Sequence, residues 1–528
     1  MASTNSKSAI YPHIIPNISL VLLYAFFTPL CTFITILSSI SSPFTKTSKH
    51  IKHHRQWRKT SSSTFRPRTV LVTGVGSAKG LTLARAFYRA GHRVLGADFE
   101  PYLFPVCGHF SASIDVFYRL SKPTKEENGT AEYILDIFSL VQKEKVELWV
   151  SCSDVAAVDD VEVAEILETR TKCKTVQFDH TLTETLAQIP SFLQSAKENG
   201  LDVPESHVVT SETEALNAIY PSSPRAGPSR KSFLMSPIRP NANQSSKPIP
   251  LFPTLPEAES QIRALNPTPF NPFFIQEDIA GTEYKTYSLI LHGEVKAFVA
   301  YHCTYTTNLI TALPFSSAIS QALLHYTKTY ISSSTTNPKN GHLSLTFRVP
   351  PPTSITSKTP HNPQLPSFET TSPLHQPHAI SAYPGISTGI LLFTAESEDL
   401  AEAYLSILPG HEPLGIANGH RDPSQIIIPK PSVRSRYWIG PEIVAGVFGF
   451  FFGVQGWGRW WWRWMDGLGI LVEGRDAVWE VWDPWPWWWL YVGYWPGVFV
   501  GCVLGGRRWR GVDFGEGKVS WDEAEEGR

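Results

Sequence analysis

The stretch that decides the fold is RPRTVLVTGVGSAKGLTLARAFYRAGHRVLGADFE, residues 66–100. An apolar strand over Thr69–Thr73 runs into a glycine-rich turn, and a helix with apolar residues on one side follows. A second strand covers residues 93–97. This order predicts a βαβ unit, in which two parallel strands are joined by a crossing helix.

The same alternation continues along the chain. Helical patterns at 131–146 and 160–170 alternate with strand patterns at 147–153 and 174–178. We therefore predict a Rossmann-like, doubly wound parallel sheet for residues 66–180.

The turn GVGSAKG places Gly74, Gly76 and Gly80 between a strand and a helix. Glycines there permit a tight turn and present backbone N–H groups to an anion at the helix N-terminus. Asp98 ends the second strand, where a dinucleotide-binding protein places the acid that binds ribose. Three interpretations stay open: a cradle for a phosphate or small substrate, an NAD(P) site, and a turn that only packs the sheet.

The segment YRLSK contains a Tyr-x-x-x-Lys pair, Tyr118 and Lys122, of the kind that a short-chain dehydrogenase uses. The pair follows the glycine turn too closely for such an enzyme. An NAD(P)-dependent oxidoreductase is therefore kept as an alternative function only.

The second half of the chain predicts an α+β unit with two insertions. A helix at 181–200 leads to a strand and a helix at 201–219, and residues 272–302 alternate in period two between glycine turns, which is typical of antiparallel sheet. Residues 221–256 and 349–378 are rich in Pro, Ser and Thr, and we predict that they are surface insertions.

Composition limits the classes of partner. The chain has 528 residues, with 46 Lys+Arg against 47 Asp+Glu, so no global field attracts nucleic acid, and nucleic acid is not a predicted partner. The six cysteines show no C-x-x-C spacing, which indicates neither a zinc site nor a disulfide framework.

The N-terminal region predicts a membrane anchor. Residues 17–43 carry no charge, and about 20 apolar residues suffice to cross a bilayer. The run is too long for a cleaved signal peptide. Only Lys7 precedes it, whereas a basic cluster follows: Lys46, Lys49, Lys52, Arg55, Arg58, Lys59, Arg66 and Arg68. By the positive-inside rule we predict a single-pass anchor over residues 1–44, a basic tether over 45–65, and the main domains on the cytosolic side.

The C-terminal region is rich in tryptophan. All but two of the 17 tryptophans follow residue 437, and indole rings favour the headgroup zone of a bilayer. Residues 484–506 are uncharged and as long as a membrane span, although Pro484, Pro486 and Pro496 interrupt the run. For residues 401–528 three interpretations stay open: an interfacial mat, an aromatic clamp on the protein core, and a second span.

The order of these parts resembles the ATP-grasp superfamily. A Rossmann-like region is followed by DVPESHVVTSETEAL, by FFIQEDIAGTEY, and by the apolar strand and turn of AISAYPGISTGILLF, residues 379–393. With the anchor and the segment WDPWPWWWLYVGYWP, residues 66–500 look like the carbamoyl-phosphate-synthase-like, membrane-anchored ligases of fungal small-molecule pathways. The resemblance implies an ATP-grasp-like domain over residues 181–400, whose two lobes grip ATP.

The resemblance also assigns residues to the site. Glu277 and Glu283 match the positions that hold adenosine and ribose, whereas Ile189 and Met235 stand where the family has its phosphate-binding lysines. The family's metal ligands and the arginine that accompanies them correspond here to Thr346, Ser381, Tyr383 and Gly385. ATP is therefore the implied cofactor, and Mg²⁺ lacks its usual ligands.

The predicted function is an ATP-dependent ligase that joins a small-molecule carboxylate or amino acid to an amine through an acyl phosphate, in fungal secondary metabolism. One alternative is a non-catalytic ATP-grasp scaffold that binds a nucleotide or metabolite, and the NAD(P)-dependent oxidoreductase is the other. Lys231, Arg239 and Lys247 are the basic residues considered as replacements for the missing phosphate contacts.

Overall fold

The computed structural model describes residues 11–61, 65–100, 104–123, 129–153, 159–220, 231–238, 248–251, 255–304, 309–333, 340–351, 376–410, 425–440, 474–505, 509–513 and 518–521. Within these ranges the strands form sheets of five, four, seven and two strands. Helices and both parallel and antiparallel pairs are present, so the fold is mixed α/β, as predicted.

Two helices open the described chain: α1 (Tyr11–Ser41) and α2 (Lys46–Ser61), with a 3₁₀ turn between them (Ser42–Phe44). Among the described residues, Asn17–Phe44 is the one helical segment long and apolar enough to cross a membrane, with 28 residues and a mean hydropathy of 2.2. A signal sequence or the core helix of a soluble protein meets the same criteria of length and composition. Only 17% of its 18-residue apolar window is buried, which is little for a core helix.

Helix α2 packs on the body of the protein, which differs from the tether predicted for residues 45–65. Its Ser48 and Ile51 are 7% and 3% exposed. The guanidinium of Arg55 lies 3.8 Å from the centroid of the Tyr88 ring and donates a hydrogen bond to the Tyr88 carbonyl oxygen. A cation–π contact of this kind stabilises by about 0.5–2 kcal/mol, and composition alone does not reveal it.

A parallel sheet with its helices follows. Its elements are β1 (Thr69–Thr73), α3 (Ala78–Arg89), β2 (Arg93–Asp98), β3 (Val116–Arg119), α4 (Gly129–Glu144), β4 (Leu148–Ser151), α5 (Asp159–Arg170) and β5 (Lys174–Thr175). The strand order is β3-β2-β1-β4-β5, and every neighbouring pair is parallel. Val70 and Val72 belong to the core on one face and Leu71 to the core on the other, and all three are fully buried. Burial on both faces is typical of parallel sheets, so the predicted doubly wound sheet is confirmed.

A small lobe comes next. Its elements are α6 (His180–Ala187), α7 (Ile189–Glu198), β6 (Ser206–Val209), α8 (Glu212–Ile219), β7 (Phe233–Pro237), β8 (Ile249–Pro250), α9 (Leu255–Leu265) and β9 (Phe273–Glu277). The antiparallel order is β6-β9-β7-β8. The helix predicted over 181–200 is divided in two, because Pro190 lacks an N–H group and is tolerated only in the first turn of α7.

The segment 221–256, predicted as an insertion, contributes β7 and β8 to this lobe. Its short apolar run FLMSP was obscured by the surrounding proline and serine. Residues 221–230, 239–247 and 252–254 lie outside the described residues.

A large lobe completes the fold. Its elements are β10 (Thr282–Leu291), β11 (Glu294–Thr304), β12 (Leu309–Ala312), α10 (Ala318–Ser333), β13 (Gly341–Val349), β14 (His378–Tyr383), α11 (Ser397–Leu405), β15 (Arg436–Tyr437) and β16 (Arg475–Asp476). The strand order is β14-β13-β10-β11-β12-β15-β16. The β10–β11 hairpin is antiparallel, as the period-two pattern predicted. Strands β15 and β16 lie beyond the predicted boundary at residue 400, and residues 352–375 of the second predicted insertion lie outside the described residues.

Three helical pieces near the C-terminus run on without a break: α12 (Trp485–Trp489), a π-helical turn (Leu490–Tyr494) and α13 (Trp495–Gly505). We call residues 485–505 the tryptophan helix. Pro496 cannot donate a backbone hydrogen bond, and the adjoining π turn accommodates that loss, so the prolines do not end the helix. A hairpin of β17 (Trp509–Asp513) and β18 (Lys518–Trp521) follows, whereas residues 441–473, which include GRWWWRWMDG, lie outside the described residues.

A buried carboxylate fixes this C-terminal region to the parallel sheet. Asp483 is 0% exposed, and Arg85 of α3 donates to its Oδ2 at 2.8 Å. The Ser111 hydroxyl and the Ala112 N–H also donate to it, at 2.6 and 2.8 Å. We call Asp483 and these three partners the clamp. The contacts favour the aromatic-clamp interpretation for the described part of residues 401–528.

Candidate functional site

The glycine loop, residues 74–80, is a turn whose backbone requires glycine. Gly74 has a φ of 77°, and its N–H donates to the Ala97 carbonyl at 2.9 Å. A Cβ on Gly80 would collide with the carbonyl oxygen of Gly74. Ser77 caps α3 by accepting a hydrogen bond from Gly80 N at 3.2 Å. Local geometry therefore accounts for these glycines without a ligand.

Protein atoms cover the loop. Asp98 accepts hydrogen bonds from Gly76 N at 2.6 Å and Phe99 N at 2.7 Å, so the predicted ribose acid holds the loop itself. The thiol of Cys107 donates to the Gly76 carbonyl at 3.1 Å from the 3₁₀ turn Cys107–Phe110. These contacts favour a packing role, and cofactor binding by the glycine loop stays a prediction.

Tyr118 is engaged with a carboxylate. Its hydroxyl donates to Glu144 Oε1 at 2.7 Å, and this hydrogen bond raises the pKa of Tyr118. A tyrosine that acts as a catalytic acid or base near neutral pH needs a lowered pKa. Among the described hydrogen bonds none joins Tyr118 to the exposed Lys122. The geometry therefore gives little support to the oxidoreductase alternative.

The hinge between the two lobes, residues 278–281, connects β9 to β10. Glu277 ends β9 and Glu283 is the second residue of β10, so the two predicted nucleotide-binding carboxylates flank the hinge. A Cβ on Gly281 would collide with the Val349 carbonyl oxygen, so glycine is needed where the hinge passes β13. The hinge is thus held close to the large-lobe sheet.

Glu277 belongs to a cluster of two carboxylates and one ammonium. Lys231 Nζ lies 2.9 Å from Glu205 Oε2 and 3.1 Å from Glu277 Oε2. The hydrogen bond between Lys231 and Glu205 raises the pKa of Lys231 and lowers that of Glu205. Lys231 therefore compensates carboxylates at the hinge. Sequence reasoning named Lys231 and Glu277 but missed Glu205.

Glu283 has the opposite balance of charge. Arg348 NH2 lies 3.4 Å from Glu283 Oε2, and Lys285 Nζ lies 3.7 Å from Glu283 Oε1. Strand register places Arg348 opposite Glu283, and Thr346 opposite Lys285. Two cations thus accompany one carboxylate that is 13% exposed. Sequence reasoning missed both cations, although the period-two alternation of β10 places Glu283 and Lys285 on one face.

The predicted metal positions lie next to these cations. Thr346 pairs with Ser381, and Ser344 pairs with Tyr383, so all four side chains share one face of the sheet. We call this part of the sheet, with Glu283, Lys285 and Arg348, the polar face. A Cβ on Gly385 would lie 2.5 Å from the Tyr383 ring, which therefore occupies the adjoining space. Among the described residues no group of three His, Cys, Asp or Glu could hold a metal ion.

The two positions that correspond to phosphate-binding lysines face apolar cores. Met235 is 0% exposed in the small-lobe core, and Ile189 packs against the core around α7 and the large-lobe sheet. A lysine at Met235 would be buried without a partner. Arg239 and Lys247 lie outside the described residues, whereas Lys285 and Arg348 share a sheet face with the predicted metal positions.

No family model matches the chain, and no curated protein matches it. The fold is similar to that of an L-amino acid ligase from Bacillus licheniformis, with 11% identity, a TM-score of 0.41, and coverage of 64% of this chain and 71% of that one. It is similar to N5-carboxyaminoimidazole ribonucleotide synthetase from Thermus thermophilus, with 13% identity, a TM-score of 0.41, and coverage of 64% and 78%.

Biotin carboxylase from Campylobacter jejuni is a third similar structure, with 11% identity, a TM-score of 0.44, and coverage of 66% of this chain and 73% of that one. These neighbours are ATP-grasp ligases. The function proposed below depends on the strands and side chains of this chain.

Proposed function

We propose that this chain binds ATP between the small lobe and the polar face, and that it joins a small-molecule carboxylate to an amine. The observation that carries the proposal is the hinge, where Glu277 and Glu283 stand beside cations at the junction of two α+β lobes. Carboxylates only accept hydrogen bonds, so they suit the hydroxyl groups of a ribose. The ion pairs with Lys231, Lys285 and Arg348 hold the two carboxylates in place.

The reaction has two steps. A carboxylate oxygen of the substrate attacks the γ-phosphorus of ATP, and ADP leaves with the electrons of the broken P–O bond. The amine nitrogen then attacks the carbonyl carbon of the acyl phosphate, inorganic phosphate leaves, and the amine proton goes to solvent. Both steps need positive charge where negative charge develops.

Lys285 and Arg348 supply that charge on the polar face. Each has a donor nitrogen within 4 Å of a Glu283 oxygen, and their two positive charges exceed the single negative charge of Glu283 by one. The neighbouring Thr346, Ser381 and Tyr383 offer hydroxyl groups, whereas Mg²⁺ prefers carboxylate oxygens and phosphates. The residues present do not fit a dedicated Mg²⁺ site, and no step is derived through one.

The neutral side chains at the predicted metal positions favour a second function. A protein that binds a nucleotide or metabolite without turnover needs the hinge carboxylates but not the phosphate-activating groups. Thr346, Ser381 and Tyr383 suit such a scaffold. The two functions share a binding site and differ in whether ADP is formed.

The membrane and pathway assignments belong to the same proposal. The apolar helix α1 attaches the protein to a membrane, and the lobes lie on the cytosolic side because basic residues follow the helix. The resemblance to fungal ligases supports an activity in secondary metabolism.

Calorimetric titration of the detergent-solubilised full chain with ATP tests the binding site. We expect binding both with and without Mg²⁺, and Glu283→Ala should weaken it about tenfold, which is about 1.4 kcal/mol. Glu294→Ala removes an exposed carboxylate at the start of β11, opposite the end of β10 that is far from Glu283, and serves as the matched control. Unchanged affinity in Glu283→Ala, or binding of NADPH in place of ATP, would contradict the proposal.

Measurement of ADP release separates the two functions. Mixtures of amino acids and small carboxylates are offered with ATP, and ADP that forms only when a substrate pair is present identifies the ligase. Binding of ATP without ADP above background in every mixture identifies the scaffold.

A further inference from the structure

Helix α1 buries polar side chains beside Leu20 and Tyr24 and exposes large apolar ones, unlike a helix on the surface of a soluble protein. Asn17, Thr35 and Ser38 point into the protein and are 2%, 0% and 7% exposed. Its outward face consists of large apolar side chains that are 37–77% exposed: Ile18, Leu22, Phe26, Leu30, Phe33, Ile34, Ile36, Leu37 and Ile40. A helix in contact with water presents its polar side outward, so this face fits lipid.

The inward face of α1 contacts the tryptophan helix. The rings of Tyr24 and Phe499 stack with centroids 6.1 Å apart. Trp488 Nε1 donates to the Thr32 hydroxyl at 2.9 Å. Residue numbers rise along α1 as they fall along the tryptophan helix, so the two helices are antiparallel.

The tryptophan helix also contacts the body of the protein. Trp489 Nε1 donates to the Pro105 carbonyl at 2.6 Å, and the Trp489 ring lies 4.4 Å from that of Phe110. A Cβ on Gly497 would lie 3.0 Å from the Phe104 ring. Within α12, Trp489 is about 100° around the helix from Trp488, and within α13, Gly497 is about 160° from Phe499. The tryptophan helix is therefore a layer between α1 and the body.

This layering conflicts with a helix that crosses the membrane end-on. The Ser38 hydroxyl donates to the Val481 carbonyl at 2.9 Å, so the second half of α1 lies beside the body. In this half of α1, next to the Ser38 contact, the outward side chains of Phe33 and Leu37 are 64% and 55% exposed. An end-on helix would leave them in water, or would draw the loop at 104–110 into the hydrocarbon. A helix that lies flat places its whole outward face in lipid.

We propose that α1 lies in the plane of a bilayer as a monotopic anchor, with its outward face among the acyl chains and the tryptophan helix behind it. Both ends of α1 are then on the same side as the body, in place of the crossing expected from the sequence. Exposed Lys46, Lys49 and Lys52 of α2 follow directly, so anionic phospholipid is the preferred surface. The inference does not depend on the proposed ATP chemistry.

Protease access to the N-terminus tests this topology. The full chain carries a protease-cleavable tag before residue 1 in sealed microsomes, and a tag at the C-terminus is the reference. An in-plane helix leaves the N-terminal tag cleavable without detergent. Protection until detergent is added shows a crossing helix and overturns the proposal.

Flotation of the purified full chain with vesicles tests the surface itself. With phosphatidylcholine–phosphatidylserine vesicles, Phe26→Glu should reduce the bound fraction at least tenfold, because Phe26 is 77% exposed on the outward face. Phe270→Glu, at an apolar residue 99% exposed elsewhere, is the matched control and should float as the parent does. The flotation of the two variants is compared only if each unfolds at the same temperature as the parent protein.

Two further results decide the occupant of the face. Replacing Lys46, Lys49 and Lys52 by Gln should weaken flotation several-fold only when phosphatidylserine is present. If Phe26→Glu instead converts a dimer to a monomer and leaves flotation unchanged, a second copy covers the face, and the proposal is wrong.

Discussion

The clamp and the hinge are both built from carboxylates and cations, yet they differ in burial and completeness. Asp483 is 0% exposed, and its oxygens accept three short hydrogen bonds, one from Arg85 of α3 and two from Ser111 and Ala112 between β2 and β3. Glu277 and Glu283 are 20% and 13% exposed, and their cations lie 3.1–3.7 Å away. A fully buried pair has no capacity for a ligand, whereas a partly exposed pair can exchange its partner for one. The comparison therefore separates the proposed binding region from a contact that only holds the chain together.

The largest effect is expected at the clamp. Asp483→Ala leaves the buried Arg85 without its partner, which should cost about 3–5 kcal/mol of folding free energy. Thermal unfolding followed by tryptophan fluorescence measures the loss. Asp115→Ala removes a carboxylate that is 50% exposed and should change stability by less than about 1 kcal/mol. Equal losses in both variants would remove the distinction between clamp and surface.

Acidification should destabilise the large lobe through His342 of β13. His342 is buried against Tyr404, with Nε2 2.8 Å from its hydroxyl, and burial lowers the pKa of His342 to about 3. The folded protein keeps the imidazole neutral while the unfolded chain protonates it below about pH 6.5, so stability falls with pH by about 1.4 kcal/mol per unit between these values.

The unfolding temperature measured between pH 7.5 and 5.5 checks this slope. His342→Gln should flatten it, and His180→Gln, at an exposed residue, should not. If the unfolding temperature of His342→Gln changes with pH as steeply as that of the parent protein, groups other than His342 cause the loss of stability in acid.

At the hinge the change should be in affinity. Arg348→Ala removes one cation beside Glu283, and ATP binding should weaken about tenfold, or about 1.4 kcal/mol, with little change in unfolding temperature. Arg263→Ala, at an exposed pair on α9, is the control. A large loss of stability with unaltered affinity would make Arg348 a structural residue like Arg85.

The smallest effect is expected at Lys231. Its ion pairs with Glu205 and Glu277 involve a side chain that is 48% exposed, and such pairs contribute about 0.2–1 kcal/mol. Lys231→Ala should therefore reduce ATP affinity less than fivefold, by calorimetry. A greater loss would show that Lys231 contacts the phosphates directly.

Much of the scaffold is predictable from local patterns. The apolar run over Thr69–Thr73 and the amphipathic helix after it coincide with β1 and α3, because a strand buried on both faces has a continuous apolar sequence. The alternation in residues 272–302 likewise predicts the β10–β11 hairpin. In both cases the signal is short-range.

The contacts that the sequence analysis did not predict join residues far apart in the chain. Arg348 reaches Glu283 only because β13 pairs with β10, and Arg55 meets Tyr88 only because α2 folds back on α3. The assignment of the metal positions from the resemblance stays a prediction, and nothing local indicated that Lys285 lies opposite Thr346. Predicting a charge pair between separate strands requires knowing the register in which the strands pair, and composition does not give that register.

The pairing of α1 with the tryptophan helix has a consequence for biosynthesis. Ser38 and Val481 are 443 residues apart, so the ribosome releases α1 long before its partner exists. During that interval the inward face of α1 stays uncovered, and only the last part of the chain can complete the anchor. A messenger truncated before residue 485 should therefore yield a protein whose two lobes fold but whose attachment is never finished.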